Sequence, residues 1–257
     1  MTPQASILLL LLGIGACSYA QDTPLPESIA RLDSLLLGNP ATPGGDWLLV
    51  GRYEVTCEEF GRDTTGNTAN LPVVMLSFVE AANWATAHGL RLPTLREWQY
   101  LASDSGRQAA VATSARNGLS LNLNRPLPVG VFERGRTSLG AYDFFGNVRE
   151  WAYDPPSQRY YACGGSYASR DAAVPGWEQL ELQAQDRAAD IGFRYVADAT
   201  TYFQTRVVSY WPQLNKQQRL ELAQLLAGWS LKSRTALAAR LLADGAPEDF
   251  CQMLSGS

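Results

Sequence analysis

The sequence predicts a mixed α and β domain that is rich in loops and is followed by a helical C-terminal segment. Three observations support this fold class. Helix starts with capping signatures lie within residues 56–98, and short apolar runs typical of strands stand on either side of them. Long polar stretches separate the later runs, and beyond residue 198 leucines recur at helical spacing.

The helix starts are the clearest local signals. Each has a serine or threonine followed three residues later by glutamate: Thr56 with Glu59, Ser77 with Glu80, and Thr94 with Glu97. In such a capping box the hydroxyl accepts from a backbone N–H of the first turn, and the glutamate accepts from the N–H of the cap residue. Gly89 predicts the end of the second helix, because glycine readily adopts the left-handed C-terminal cap conformation.

Short strands and long loops are predicted around these helices. The strand predictions cover residues 47–55, 129–132, 159–163 and 191–196, the last of which closes the main domain. Two stretches without periodicity, residues 107–128 and 168–190, are predicted to be loops. Loops of that length in a compact domain are usually functional or clamped, so they are candidate parts of a binding site.

The N-terminus has features of an export signal. Residues 7–14 are apolar but too few to span a bilayer, so residues 1–20 are predicted to be a signal peptide. Two processing routes remain open: a lipobox-like sequence that would lipidate Cys17, and a small-x-small site before Gln21. Either route predicts a periplasmic or outer-membrane-associated protein, with membrane attachment only through a lipidated Cys17.

Three parts are predicted beyond the signal. Residues 21–42 form a short amphipathic helix and a linker, residues 43–198 the main domain, and residues 199–257 a helical tail. Tail helices are predicted over residues 214–229, 230–242 and 247–254, with Ser230 as a cap and Pro247 in a first turn. The apolar stripe of the tail favours docking on its own domain over binding a partner.

Composition and charge exclude several kinds of function. The formal net charge of −4 argues against nucleic-acid binding, which needs a basic surface. The single histidine, His88, excludes a zinc or iron site built from several histidines of one chain. Three cysteines follow the signal, Cys57, Cys163 and Cys251, which predicts one disulfide and one free thiol without choosing the pair.

Residues 140–151, GAYDFFGNVREW, combine aromatic side chains, a Gly-Asn turn and side-chain oxygens. Asn147 and Glu150 are three positions apart, so their oxygens can converge on one point after the turn. Calcium prefers such hard oxygen ligands. The spacing alone favours a simpler interpretation, in which the asparagine bonds its own backbone and Trp151 anchors the loop in the core.

The order of several motifs points to a known family. The motifs are residues 53–56 (YEVT), 72–74 (PVV) with Ser77 and Trp84, 91–94 (RLPT) with Glu97 and Trp98, 128–130 (PVG), 140–151, 164–166 (GGS) and 191–194 (IGFR). Each is weak alone, but in this order they resemble the formylglycine-generating-enzyme (sulfatase-modifying factor) family over residues 43–198. The resemblance implies a loop-rich, C-type-lectin-like α+β fold, with the helical tail as an appendage outside it.

The resemblance also implies a structural calcium site and a lost catalytic pair. The family's calcium ligands map onto the side chains of Asn147 and Glu150 and onto the carbonyl of Val148. Active aerobic members hold copper with two cysteines after the Gly-Gly-Ser motif, but the corresponding residues here are Ser169 and Val174. Because Cu(I) prefers soft sulfur ligands, neither copper nor the formylglycine-generating oxidase activity is expected.

These observations predict a non-catalytic, exported module that binds or regulates a protein or peptide partner in the bacterial envelope, for example in signalling to a secretion system. Its candidate groove contains Cys163, Ser166, Ser169 and Arg170. The alternative is a divergent oxidoreductase or protein-modifying enzyme that uses Cys163. A third interpretation, a purely structural envelope lipoprotein, requires lipidation of Cys17.

Overall fold

The computed structural model describes residues 23–39, 45–62, 64–66, 68–103, 125–133, 136–169 and 179–256. Within these ranges the protein has two small β-sheets, short helices beside them and a group of helices at the C-terminal end. The predicted α+β class with a helical C-terminal segment is confirmed. The predicted signal peptide, residues 1–20, lies outside the described residues. No helix in the described ranges combines the length and apolar character needed to cross a bilayer.

The first sheet brings the N-terminal segment onto the main domain. Its strands are β1 (Leu35–Gly38), β2 (Leu48–Gly51) and β7 (Val196–Asp198). They are antiparallel in the order β1-β2-β7, and every residue of β1 and β2 is buried. The prediction of a helix over this segment is therefore wrong beyond α1 (Glu27–Ala30) and a 3-10 turn (Arg31–Ser34). Consecutive leucines suit a strand here, because both of its faces are covered.

The second sheet contains β3 (Arg149–Asp154), β4 (Arg159–Cys163), β5 (Gln179–Leu182) and β6 (Ile191–Gly192). The order is β5-β4-β3-β6, with β6 parallel to β3 and the other pairs antiparallel. Three sequence predictions are corrected. The predicted strand 191–196 is divided between the two sheets, the predicted loop 168–190 contains β5, and residues 129–132 form a turn and irregular chain instead of a strand.

The predicted helix starts are confirmed at α2 (Cys57–Phe60), α3 (Phe78–Ala87) and α4 (Leu95–Ala102). Complete capping boxes begin α3 and α4, whereas only the threonine hydroxyl caps α2. The carboxylate of Glu59 instead accepts hydrogen bonds from Arg31 and Tyr195. Gly89 has φ of +73° just beyond α3, as predicted for a C-terminal cap.

The C-terminal helices complete the main core. They are α5 (Ala199–Arg206), a 3-10 helix (Val208–Gln213), α6 (Lys216–Ala227), α7 (Leu231–Ala243) and α8 (Glu248–Ser255). Their buried side chains form one cluster with those of the N-terminal segment and the first sheet. The indole N–H of Trp229 donates to the Leu35 carbonyl at 3.1 Å, and the rings of Trp229 and Phe203 are 5.9 Å apart. These helices thus pack on the N-terminal segment and the first sheet.

Candidate functional site

Strand β3 begins with two charged residues whose side chains go to opposite faces of the sheet, as successive strand residues do. Glu150 is completely buried, whereas the side chain of Arg149 retains 13% exposure. They belong to two polar groups of residues. The inner centre consists of Glu54, Asp143, Asn147, Glu150 and Arg194. The outer cluster consists of Arg149, Ser166, Ser169 and Asp190.

The guanidinium of Arg194 joins the inner centre. It donates to both carboxylate oxygens of Glu150, from Nη2 to Oε1 at 2.7 Å and from Nε to Oε2 at 3.1 Å. It also donates to the carbonyls of Gly51 and Tyr142, and it lies 4.1 Å from the ring centroid of Phe144. A fully buried arginine is tolerated here because a carboxylate, two carbonyls and an aromatic ring replace its water.

The other members tie neighbouring loops to this centre. The Oδ1 of Asn147 accepts from the backbone N–H of Leu127 at 2.9 Å, and its Nδ2 donates to the Leu127 carbonyl and to Glu54. The N–H of Val148 also donates to Glu54, at 3.4 Å. The amide of Asn147 thus binds the backbone at Leu127 through two hydrogen bonds.

The geometry does not fit the predicted calcium ion. Glu150 faces a guanidinium and also accepts from the indole N–H of Trp98 at 2.8 Å, while the amide oxygen of Asn147 faces the Leu127 N–H. Both side chains therefore bond N–H donors of the protein instead of being arranged as ligands of a cation.

The inner centre contains three carboxyl groups but only one guanidinium. Asp143 is buried, accepts from the Gly130 N–H through Oδ2, and has an Oδ1 without a hydrogen-bond partner in the described chain. Burial raises the pKa of Asp143 to about 6, although the Gly130 N–H and the charge of Arg194 oppose the rise. Burial, reinforced by the charges of Asp143 and Glu150, raises the pKa of Glu54 well above its usual value.

The outer cluster connects β3, the turn after β4 and the residue before β6. The Arg149 guanidinium pairs with Asp190 and donates to the hydroxyls of Ser166 and Ser169 at 3.0 and 3.1 Å. The Ser166 hydroxyl donates to Asp190 at 2.7 Å, and its backbone N–H donates to Ser169 at 3.0 Å. Gly164 allows the turn after β4 because it has φ of +98° and no side chain. A Cβ there would clash with the Phe144 carbonyl oxygen.

The predicted groove residues that the structure describes are divided between two environments. Ser166 and Ser169 belong to the outer cluster, but Cys163 is fully buried and pairs in register with Glu150. Burial raises the pKa of the Cys163 thiol, and the charge of Glu150 adds to the rise. The expectation that Cys163 lines a groove is therefore wrong. Arg170 and Val174 lie outside the described residues.

The predicted disulfide is also corrected. Cys57 in α2, Cys163 in β4 and Cys251 in α8 are free thiols. They lie on three separate elements, and Cys163 and Cys251 are buried in different hydrophobic clusters. Cys17 is outside the described ranges.

Several important residues were missed by the sequence analysis as site residues: Glu54, Asp143, Arg149, Asp190 and Arg194. Two of them carried a readable signal. Arg194 lies within an apolar run, and an arginine inside a buried segment needs a buried acid as partner. Arg149 directly precedes Glu150, and strand alternation separates adjacent side chains onto opposite faces. The remaining three depend on chain crossings that local sequence does not encode.

The two small sheets, the capped helices and the loop closed by Glu150 and Arg194 define a loop-rich α+β domain of the kind that the sequence motifs predict. The family model for the sulfatase-modifying factor enzyme 1-like domain matches residues 50–199, which is more than half of the chain. The chain belongs to this family, and its formylglycine-generating-enzyme-like, C-type-lectin-like fold is confirmed.

Curated relatives are enzymes by name. The chain is 34% identical to hercynine oxygenase of Mycobacterium tuberculosis over 96 residues, which are 34% of this chain and 23% of the relative. It is 30% identical to the formylglycine-generating enzyme of the same organism over 193 residues, covering 54% of this chain and 62% of the relative. The chain thus spans less than two thirds of either relative, and their activities are proposals for it.

Solved structures share the fold. Treponema denticola variable protein 1 aligns with a TM-score of 0.51 and 17% identity, over 63% of this chain and 91% of that protein. PvdO from Pseudomonas aeruginosa aligns with a TM-score of 0.50 and 19% identity, over 59% of this chain and 80% of that protein. At these identities the likeness concerns the fold alone.

Proposed function

We propose that this chain is a non-catalytic, exported member of the family that binds a protein or peptide partner in the bacterial envelope through its outer cluster. The observation that carries the proposal is Ser169. It stands where the family resemblance places a catalytic cysteine, and its hydroxyl accepts hydrogen bonds from Arg149 and from the Ser166 N–H. A serine hydroxyl does not replace a thiolate as a ligand for Cu(I).

Two further residues support binding over redox or metal chemistry at this place. Cys163 is buried with a raised thiol pKa, so the nearest sulfur along the chain is in a poor state for reaction. His88 follows α3, with Nδ1 at 2.7 Å from the Trp84 carbonyl and its ring 4.1 Å from the Trp84 ring. The histidine is thus engaged on another element.

The chemistry of the outer cluster favours an extended peptide. Arg149 and Asp190 present one charge of each sign, and both side chains retain partial exposure, 13% and 16%. Charged and hydroxyl groups fixed by one another can bond the backbone and polar side chains of a peptide with little loss of entropy. Periplasmic location, and membrane attachment through a lipidated Cys17, are parts of the same proposal that rest on residues 1–20.

Site-directed photo-crosslinking in envelope extracts tests the proposal. A photo-reactive phenylalanine analogue at position 169 reports partners of the outer cluster, and the same analogue at exposed Ser157, in the turn after β3, is the matched control. We expect a discrete adduct at position 169 that is absent at position 157 and is competed by unlabelled protein. Identical adducts at both positions, or none at either, would overturn the proposal.

A divergent protein-modifying enzyme is the second candidate, because the curated relatives are named as enzymes. The full chain is incubated with copper and a peptide containing the sulfatase cysteine motif, and the peptide mass is measured. The variant carrying Ser169→Cys and Val174→Cys restores the cysteine spacing as a comparison. A mass loss on the peptide cysteine with the unchanged protein would establish the enzyme and refute the non-catalytic proposal.

A further inference from the structure

A second polar site lies where the C-terminal helices meet the first sheet. A cleft of about 360 Å³ opens between β1, the loop at Leu139 and the start of α7. This volume is at the lower end of the range of small-molecule sites, which is about 300–1,000 Å³. None of the described residues of the outer cluster lines this cleft, so it is independent of the proposed function.

The N-terminus of α7 borders this cleft. The first backbone N–H groups of any helix lack partners within the helix and carry a partial positive charge. In α7, which has 13 residues, Ser230 occupies the cap position but makes no side-chain cap hydrogen bond, and no acidic residue lies in the first turn. Ser230, Lys232 and Ser233 of this end all line the cleft.

Ser233 gives independent evidence for a ligand. It is only 8% exposed, lines the cleft, and its hydroxyl has no hydrogen-bond partner in the part of the chain that the structure describes. A serine hydroxyl buried in a helix usually bonds a backbone carbonyl or another polar group. An unpartnered hydroxyl beside uncapped N–H groups is a donor set that a bound oxyanion would complete.

The remaining lining residues define the chemistry of the ligand. Lys232 is the single charged residue among those that line the cleft, so the local charge is positive. Leu36, Leu139 and Trp229 also line the cleft, and the indole N–H of Trp229 is already bonded to the Leu35 carbonyl. Backbone donors, hydroxyls and an ammonium match the several oxygens of a tetrahedral oxyanion.

We propose that this cleft binds a tetrahedral oxyanion, a phosphate or sulfate group, at the N-terminus of α7. Leu36, Leu139 and Trp229 offer apolar contacts to a small carbon skeleton attached to that group. Calorimetric titration of the full chain with inorganic phosphate tests the proposal, with a dissociation constant of about 0.1–1 mM expected. No heat of binding up to about 10 mM phosphate would overturn it.

Three variants locate the binding. Lys232→Gln removes the side-chain charge and is expected to weaken phosphate binding about tenfold. Its matched control is Lys216→Gln, because the other lysine of the chain lies in the first turn of α6, whose N-terminus is closed by a complete capping box. Ser230→Asp supplies a capping carboxylate to α7 and should abolish binding while leaving the protein folded. Equal weakening by both lysine variants, or unchanged binding by Ser230→Asp, contradicts the site.

Two further ligands define the source of the oxyanion. Phenyl phosphate carries the same group on an apolar ring, so tighter binding than inorganic phosphate identifies an organic phosphate as the ligand class. Equal binding of the two identifies the free ion. Acetate tests the tetrahedral geometry, and an affinity for acetate equal to that for phosphate would overturn it.

Discussion

The inner centre and the outer cluster contain adjacent residues of one strand, Glu150 and Arg149, yet they differ greatly in solvent exposure. Glu150 and Arg194 have no exposed side-chain surface, and both oxygens of the carboxylate are bonded within the protein. Arg149 and Asp190 retain exposure and are joined through the hydroxyl of Ser166, in the turn after β4. A saturated buried centre stabilises a fold, whereas a partly exposed cluster has the access that binding a partner requires.

This comparison explains why the best family signature does not mark the chemistry. Residues 140–151 contribute Asp143, Asn147 and Glu150 to the inner centre, which bonds the backbone at Leu127 and Gly130. The outer cluster also includes a residue of β3, Arg149, but its chemistry depends on the residues that follow the Gly-Gly-Ser turn. The two regions can therefore change independently, and the following predictions separate them.

The largest expected effect is loss of the buried cation. Arg194→Met leaves Glu150 buried without its partner, and Asp143 and Glu54 lose a compensating charge. We expect the free energy of unfolding to fall by about 3–5 kcal/mol, measured by urea denaturation. Arg91→Met is the control, since its ion pairs with Glu97 and Asp198 are partly exposed and should contribute about 1 kcal/mol or less. Equal losses would contradict the distinction.

The buried acid excess predicts that removing one acid stabilises the protein. The pKa of Asp143 is about 6 in the folded protein against 3.8 in a model peptide, so the folded state holds its proton more tightly. Stability from this group is therefore greatest below pH 3.8 and is lost as pH rises through 6. Asp143→Asn should raise the free energy of unfolding by roughly 3 kcal/mol near neutral pH. The gain should shrink as the solution is acidified.

The pH dependence separates this effect from ordinary packing changes. Asparagine tolerates the positive φ of +60° at position 143, so the backbone is not the cause of a change. Asp33→Asn, which replaces an exposed carboxylate on the 3-10 turn, is the control and should give no comparable gain in the free energy of unfolding. A stability gain for Asp143→Asn that is constant between pH 4 and 8 would contradict the buried acid excess.

Sequence reasoning succeeded where the physical cause is local. The capping boxes at Ser77 and Thr94 involve residues three apart, and the family motifs lie in fixed order. It failed where distant segments decide the outcome. Glu150 and Arg194 are 44 residues apart, and nothing near Glu150 shows that its partner is a guanidinium and not a metal ion. The leucines of β1 were assigned to a helix because the C-terminal helices that cover them are distant in sequence.

The outer cluster predicts a smaller loss of stability with a large loss of binding. Arg149→Met breaks a partly exposed ion pair with Asp190, so the free energy of unfolding should fall by about 1–2 kcal/mol. Photo-crosslinking from position 169 should nevertheless be lost. Arg159→Met, which removes an exposed pair with Glu181, is the control and should retain the adduct. Retained crosslinking in Arg149→Met would separate Arg149 from the partner site.

The smallest expected effect is that of removing calcium. Because Arg194 already supplies the positive charge facing Glu150, the melting temperature should change by no more than about 1 °C between EDTA and millimolar calcium. The same measurement on Asn147→Ala shows whether a larger shift in melting temperature arises from calcium bound at this loop. A rise with calcium that persists in the variant arises elsewhere in the chain. A rise that the variant loses would show that the amide leaves Leu127 to bind the ion, and that the inner centre is a metal site after all.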